Sequence, residues 1–185
     1  LTQTNSNAYD ATGDLMIGRF SIQDQVQLYN MVEKTINYET EYTFAEWKNT
    51  IGFTNGQGEE PNEYHPDADP ILYFSRYYEQ NNSYTQNFSN NIVNWYELNE
   101  QIASPTINYL NDGTFFVQYI GHGAARLWQG GLNVNRFETE LTNTNKTPFV
   151  NAISCQTGWF DNKNCLGEFL TSYSDTKGCV GYIGE

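Results

Sequence analysis

Two nearly continuous apolar runs, residues 114–120 (TFFVQYI) and 148–154 (PFVNAIS), stand out from an otherwise polar chain. Neither shows the strict alternation of a half-exposed strand, and both read as strands buried on two faces. Shorter strand candidates are 14–20 (DLMIGRF), 49–55 (NTIGFTN) and 179–183. Helical spacing fills the intervals. After Ser21, the positions Leu28, Met31, Val32, Thr35 and Ile36 form one stripe. Asp69 followed by Pro70 is a side-chain cap with proline in the first turn, and Ile71, Phe74 and Tyr78 line one face of the helix it opens. Ser104 and Pro105 repeat the signal ahead of a helix that stops near Gly113. A last helix, 164–174, turns Leu166, Phe169, Leu170 and Tyr173 inward.

Strands that alternate with helices predict βαβ units, hence an α/β fold with a mostly parallel sheet and helices on both faces. Ligands of such sheets bind at the carboxyl ends of the strands. The polar segment 56–68, rich in Gly, Glu and Pro, predicts a long loop of the kind that carries function. One domain, 1–185, is expected, and the chain starts without a capped element and stops just after a strand, as a segment of a longer polypeptide would.

Charge narrows the partners. Nine Lys and Arg stand against 22 Asp and Glu, a net charge of -13, which repels a phosphate backbone and argues against nucleic acid. No apolar run reaches the roughly 20 residues of a membrane span. An acidic, Asn- and Thr-rich surface fits an extracellular setting. The three cysteines, Cys155, Cys165 and Cys179, match no zinc spacing and leave one thiol unpaired. Glu59, Glu63, Asp67 and Asp69 supply carboxylates suited to a structural calcium, without a strict ligand spacing.

The two apolar runs end alike. One leads into Gly121-His122-Gly123 and the other into Cys155-Gln156-Thr157-Gly158. Parallel neighbouring strands would deliver the imidazole and the thiol to one sheet edge, the pairing that thiol catalysis needs: the imidazole takes the thiol proton and returns one to the leaving amine. Gly123 leaves its N–H free to face a developing oxyanion together with the N–H of Cys155. The structural alternative is a cysteine and a histidine that merely end two core strands; the flanking glycines favour the chemical reading. Cys165 and Cys179 fall in a helix and a strand and read as small hydrophobes. Trp128 and Trp159 read as core aromatics, with the wall of a cleft as their other use. His65 reads as a surface residue.

YIGHGAARLW, TPFVNAISCQTGWF and NCLGEFL resemble successive blocks of the gingipain family of cysteine peptidases, family C25, whose fold is the caspase-like three-layer α/β/α arrangement. DLMIGRFS with KTINYE resembles the segment upstream of the gingipain active site, so the likeness runs from about Asp14 to Glu185. His122 and Cys155 lie 33 positions apart, in keeping with that pattern. The resemblance implies a secreted or cell-surface bacterial endopeptidase that needs no cofactor, acts on protein or peptide substrates and associates with other segments of a processed precursor. Cys155 becomes the nucleophile, His122 the acid/base and Gly123 an oxyanion donor, while Ile120, Gly121, Ile153 and Ser154 border the pocket for the residue before the scissile bond. Asp69 falls near the acidic residue by which Arg-cleaving members hold their substrate, and Asp67 competes for that place. The family's histidine-orienting carboxylate aligns with Gln57, a departure that leaves Glu59 as the nearest carboxylate. Two further readings stay open: a sortase-like transpeptidase that passes the acyl group to an amine, and a non-catalytic binding module that keeps the fold.

Overall fold

The computed structural model describes residues 18–40, 45–56, 89–94, 98, 101–161 and 164–185. In chain order these form α1 (Gln25–Thr40), a short 3₁₀ turn (Glu46–Asn49), β1 (Thr50–Asn55), β2 (Ser89–Asn94), α2 (Ala103–Asp112) and β3 (Phe116–Ile120). There follow β4 (Gly123–Ala124), β5 (Leu127–Trp128), β6 (Leu132–Asn133), α3 (Val134–Glu140), β7 (Phe149–Ile153), α4 (Leu166–Ser172) and β8 (Gly181–Gly184). Five strands make one sheet in the order β2-β1-β3-β7-β8, and every neighbouring pair is parallel. The two apolar runs are adjacent in its centre, as their composition requires. A second, antiparallel sheet of three two-residue strands, β4-β5-β6, stands directly after β3.

On one face of the main sheet, Val117, Tyr119, Val150 and Ala152 are fully covered and merge with Ile107, Leu110, Trp128, Phe137, Leu166 and Leu170 into one core. Helix–strand contact is close there because glycines remove the obstacle. A Cβ at Gly52 would run into the Tyr109 ring of α2, and one at Gly167 into the Tyr182 ring of β8. On the opposite face, Phe116 and Phe149 stack with centroids 6.4 Å apart, and the Asn151 amide donates to Gln118 Oε1 at 2.8 Å, so the two central strands are also stitched by side chains.

Local chemistry sets the helix ends. Gly113 closes α2 with φ +102°, its N–H donating to Tyr109 C=O at 3.1 Å. Asn133 opens α3 by accepting from the Arg136 N–H. Cys165 and Glu168 form a reciprocal capping box at the start of α4.

Several expectations need correction. Gly18, Arg19 and Phe20 lie outside any strand, and residues 14–17 fall outside the described residues. In α1 the buried positions are Met31 and Lys34, whereas Leu28 and Ile36 are exposed. The reason is the polar end of α4: Lys34 Nζ donates to the carbonyls of Thr171 (2.8 Å), Cys179 (3.3 Å) and Leu170 (3.4 Å), and Asn30 donates to Ser172 C=O at 2.9 Å. Carbonyls left open by a helix terminus need donors, which an apolar stripe cannot supply. Helix α2 starts two residues early, capped by Ile102 without a side-chain bond, and Ser104 Oγ instead accepts from the Arg136 guanidinium. Cys165 precedes its helix and Cys179 precedes its strand, though both are buried as expected. The helix expected from Asp69 falls outside the described residues.

Candidate active site

Asn55, Ile120 and Ile153 lie at one level across β1, β3 and β7, so the three strands finish together. The ladder runs one step further, with Gly56 N–H donating to Ile120 C=O at 2.8 Å and Gly121 N–H to Ile153 C=O at 3.2 Å. His122 and Cys155 each stand two residues beyond this level, on adjacent strands, and both are exposed. The two loops touch: a Cβ on Gly123 would collide with Ser154 Oγ. Glycine at 123 is therefore what lets the segment after His122 lie against the residue before Cys155.

The main chain of both loops is fixed by hydrogen bonds. The His122 carbonyl accepts from Gln129 N–H at 3.0 Å, so the alternation of an antiparallel ladder makes Gly123 and Trp128 a non-hydrogen-bonded pair. Gly123 N–H accordingly points away from β5. After Cys155 the chain turns sharply, with Gln156 at φ +62°, a left-handed conformation that costs a side-chain-bearing residue about 1–2 kcal/mol. Thr157 Oγ1 donates to Ser154 C=O at 3.2 Å and Gly158 N–H donates to Glu185 C=O, which ties this turn to the end of β8.

Exposure separates the three thiols. Cys155 is free and open to solvent, whereas Cys165 and Cys179 are each 1% exposed. Burial pushes the Cys165 thiol up and the Cys179 thiol up to about 12, which keeps both protonated and unreactive near neutrality. Of the expected pocket residues, Ile120 and Ser154 are buried, Gly121 is half-buried and Ile153 is exposed beside the cysteine loop. Ser154 Oγ has no hydrogen-bond partner among the described residues. Gln57, Glu59, Glu63, His65, Asp67 and Asp69 lie outside the described residues. No cluster of three or more metal-ligating side chains occurs among the described residues.

A groove of about 490 Å³ is lined by Gln156, the residue after Cys155, with Gly158, Trp159, Phe160, Asp161 and the end of β8. Trp159 and Phe160 are exposed, and the Arg19 guanidinium lies 4.5 Å from the Phe160 ring centroid. Sequence reasoning passed over Phe160, Asp161 and Glu185; two neighbouring aromatics followed by an acid, just after Cys155, were the available signal. Trp128, by contrast, is a core residue stacked on Tyr119 at 4.5 Å and walls no cleft.

Comparison with known proteins identifies the family and the fold. The chain is 27% identical to gingipain R2 of Porphyromonas gingivalis over 156 residues, which cover 82% of this chain and 20% of that protein. It is equally similar to gingipain R1 of the same organism, of which it covers 15%. The chain thus spans a fifth or less of the length of these relatives. Among solved structures, the Arg-specific cysteine proteinase gingipain R (RgpB) superposes with a TM-score of 0.70 at 22% identity, over 90% of this chain and 38% of that one. A complex of the pro- and mature domains of Porphyromonas gingivalis RgpB superposes with a TM-score of 0.69 at 23% identity, over 96% and 42%. The fold is the caspase-like α/β fold of those structures. The model of peptidase family C25 matches residues 1–185, and the chain belongs to that family.

Proposed function

We propose that this chain is the catalytic core of a cysteine endopeptidase in which Cys155 is the nucleophile and His122 the acid/base. The observation that carries the reading is the matched pair of strand ends: the solvent-open thiol and the imidazole at equal offsets past β7 and β3, on loops in contact through Gly123 and Ser154. His122 takes the thiol proton as Sγ attacks the scissile carbonyl. The N–H groups of Gly123 and Cys155 receive the oxyanion. Collapse breaks the C–N bond, His122 protonates the departing amine, and a thioester remains on Cys155. Water, deprotonated by His122, then releases the acid and restores the thiol.

Asp161 and Glu185 place carboxylates on the groove that Gln156 lines, and the Phe160 ring already accepts a guanidinium, both of which suit a substrate with Arg or Lys near the cut. Asp69 remains the candidate for the residue immediately before the scissile bond. The naming of one solved relative as an Arg-specific cysteine proteinase supports work on protein substrates, and the RgpB pro-domain complex supports a processed precursor. Hydrolysis of Arg- and Lys-reporter peptides tests the reading. Cys155→Ala should remove at least about 1,000-fold of the rate while Cys165→Ala keeps most of it, and a Cys155→Ala protein as fast as the parent would refute it.

A further inference from the structure

The side chain that holds the main chain of His122 in place is the residue three positions before it. Tyr119 of β3 is fully buried, its ring stacked on Trp128 with centroids 4.5 Å apart and planes 6° from parallel. Trp128 is itself fixed, edge-on to Phe137 and donating from Nε1 to the Tyr182 hydroxyl at 3.2 Å. From this stack the Tyr119 hydroxyl donates to His122 C=O at 2.8 Å and accepts from Gln129 N–H at 3.1 Å. Space for that oxygen is made by two glycines. A Cβ on Gly56 or on Gly121 would come within 2.9 or 2.8 Å of it. Strand ends β1 and β3 are therefore shaped around a phenol whose hydrogen-bonding capacity is spent on the histidine loop.

We infer that Tyr119 is a positioning residue for His122, which rests on the catalytic reading of His122 given above. A base that must meet both the thiol proton and the leaving nitrogen loses rate when it is displaced by a fraction of an ångström. The His122 carbonyl has two tethers, the Gln129 N–H and the Tyr119 hydroxyl, and only the second anchors it to the aromatic core. Burial raises the Tyr119 phenol far above its ordinary range, so it remains a donor at every pH at which the protein is folded. Deleting the hydroxyl leaves Gln129 N–H still bonded to His122 C=O, so no buried donor is orphaned and the fold survives.

The test compares Tyr119→Phe with Tyr109→Phe, which deletes a buried hydroxyl bonded at 2.8 Å to Thr54 in the same core. Each variant is assayed for kcat and KM on a reporter peptide, for the rate of Cys155 alkylation by iodoacetamide, and for Tm. Tyr119→Phe should lower kcat by about 10-fold with KM within about two-fold, and slow alkylation in step. Tyr109→Phe should lower Tm similarly and leave kcat and alkylation at the parent values. The chain has two histidines, so the His122 ring signal can be followed by histidine-selective NMR, and it should shift in Tyr119→Phe alone. Parent-like kcat, alkylation and ring signal in Tyr119→Phe would overturn the inference while leaving the catalytic reading intact, as would equal kcat losses in both variants. Alkylation of Cys155 in the parent that ignores His122→Ala would overturn the catalytic reading and this inference with it.

Discussion

Among the described residues, a cysteine shares a region of the fold with a basic group both at the sheet edge and in the interior, and the two places differ in almost every other respect. At the carboxyl ends of β3 and β7, Cys155 and His122 stand on glycine-flanked loops in contact with solvent. Behind β8, Cys179 and Lys34 meet in the interior, where the amine is 3% exposed and donates to three main-chain carbonyls. Burial raises the Cys179 thiol and lowers the Lys34 amine, from 10.5 to about 8, because desolvation disfavours each charged form. The interior pair is a structural clamp that joins α1 to the end of α4. Proximity of a thiol and a base is thus no mark of catalysis; exposure at a strand end is what sets apart the pair proposed as catalytic.

The largest effect that would break this contrast concerns the thiols themselves. Cys155→Ala should abolish reporter hydrolysis with Tm within about a degree of the parent, since an exposed side chain contributes little packing. Cys179→Ser should do the reverse, keeping the specific activity of the folded protein while lowering stability by about 1–3 kcal/mol, because a hydroxyl is then buried among apolar neighbours. Activity assays beside urea denaturation curves decide between them.

Next in size is Gly123→Ala. The added methyl would be forced onto Ser154 Oγ and the Leu127 carbonyl, separating the two loops and moving the Gly123 N–H. A loss of about 1–3 kcal/mol in stability should come with a drop in kcat of about 100-fold, the loss that follows removal of one oxyanion donor. Unchanged kcat would mean that the contact between the loops has no part in the chemistry.

The Lys34 site makes a prediction in pH. Its folded-state value, about 8, lies below the 10.5 of the unfolded chain, so between those values the unfolded state binds more protons and folding stability rises with pH. From pH 8 to 9.5 the gain is about 2 kcal/mol. Cys179 stays protonated through this window. Urea curves for the parent and Lys34→Met, measured at both pH values, should show the gain in the parent alone; the same rise in the variant would assign it to other groups.

The smallest effect belongs to Ser154, whose hydroxyl is buried without a partner among the described residues. Ser154→Ala should be neutral or up to about 1 kcal/mol stabilising by denaturant titration, since no hydrogen bond is lost.

How much of this was legible beforehand follows the strength of the local signals. The central strands, the Gly113 stop, the helix at 166–172 and the joint delivery of His122 and Cys155 could all be read, because long apolar runs and glycine-flanked strand ends have few alternative explanations. Strand β2 escaped notice because SNNIVN is too polar to resemble a sheet residue run, and its place is set by pairing with β1. The two-residue strands β4 to β6 and the seven-residue helix α3 are too short for any period to register. Lys34 defeated the stripe in α1 because its partners are carbonyls at the end of another helix, far away in sequence. The groove residues Phe160 and Asp161 were missed for a similar reason: their use depends on the end of β8 closing the other wall.

The central claim is tested most directly by active-site labelling with peptidyl chloromethyl ketones carrying Arg, Lys or a neutral residue, followed by mass mapping of the modified peptide. A single adduct at Cys155 is expected, fastest with the basic peptides and lost in His122→Ala. Labelling spread over Cys155, Cys165 and Cys179, or labelling of Cys155 at the same rate without His122, would contradict it.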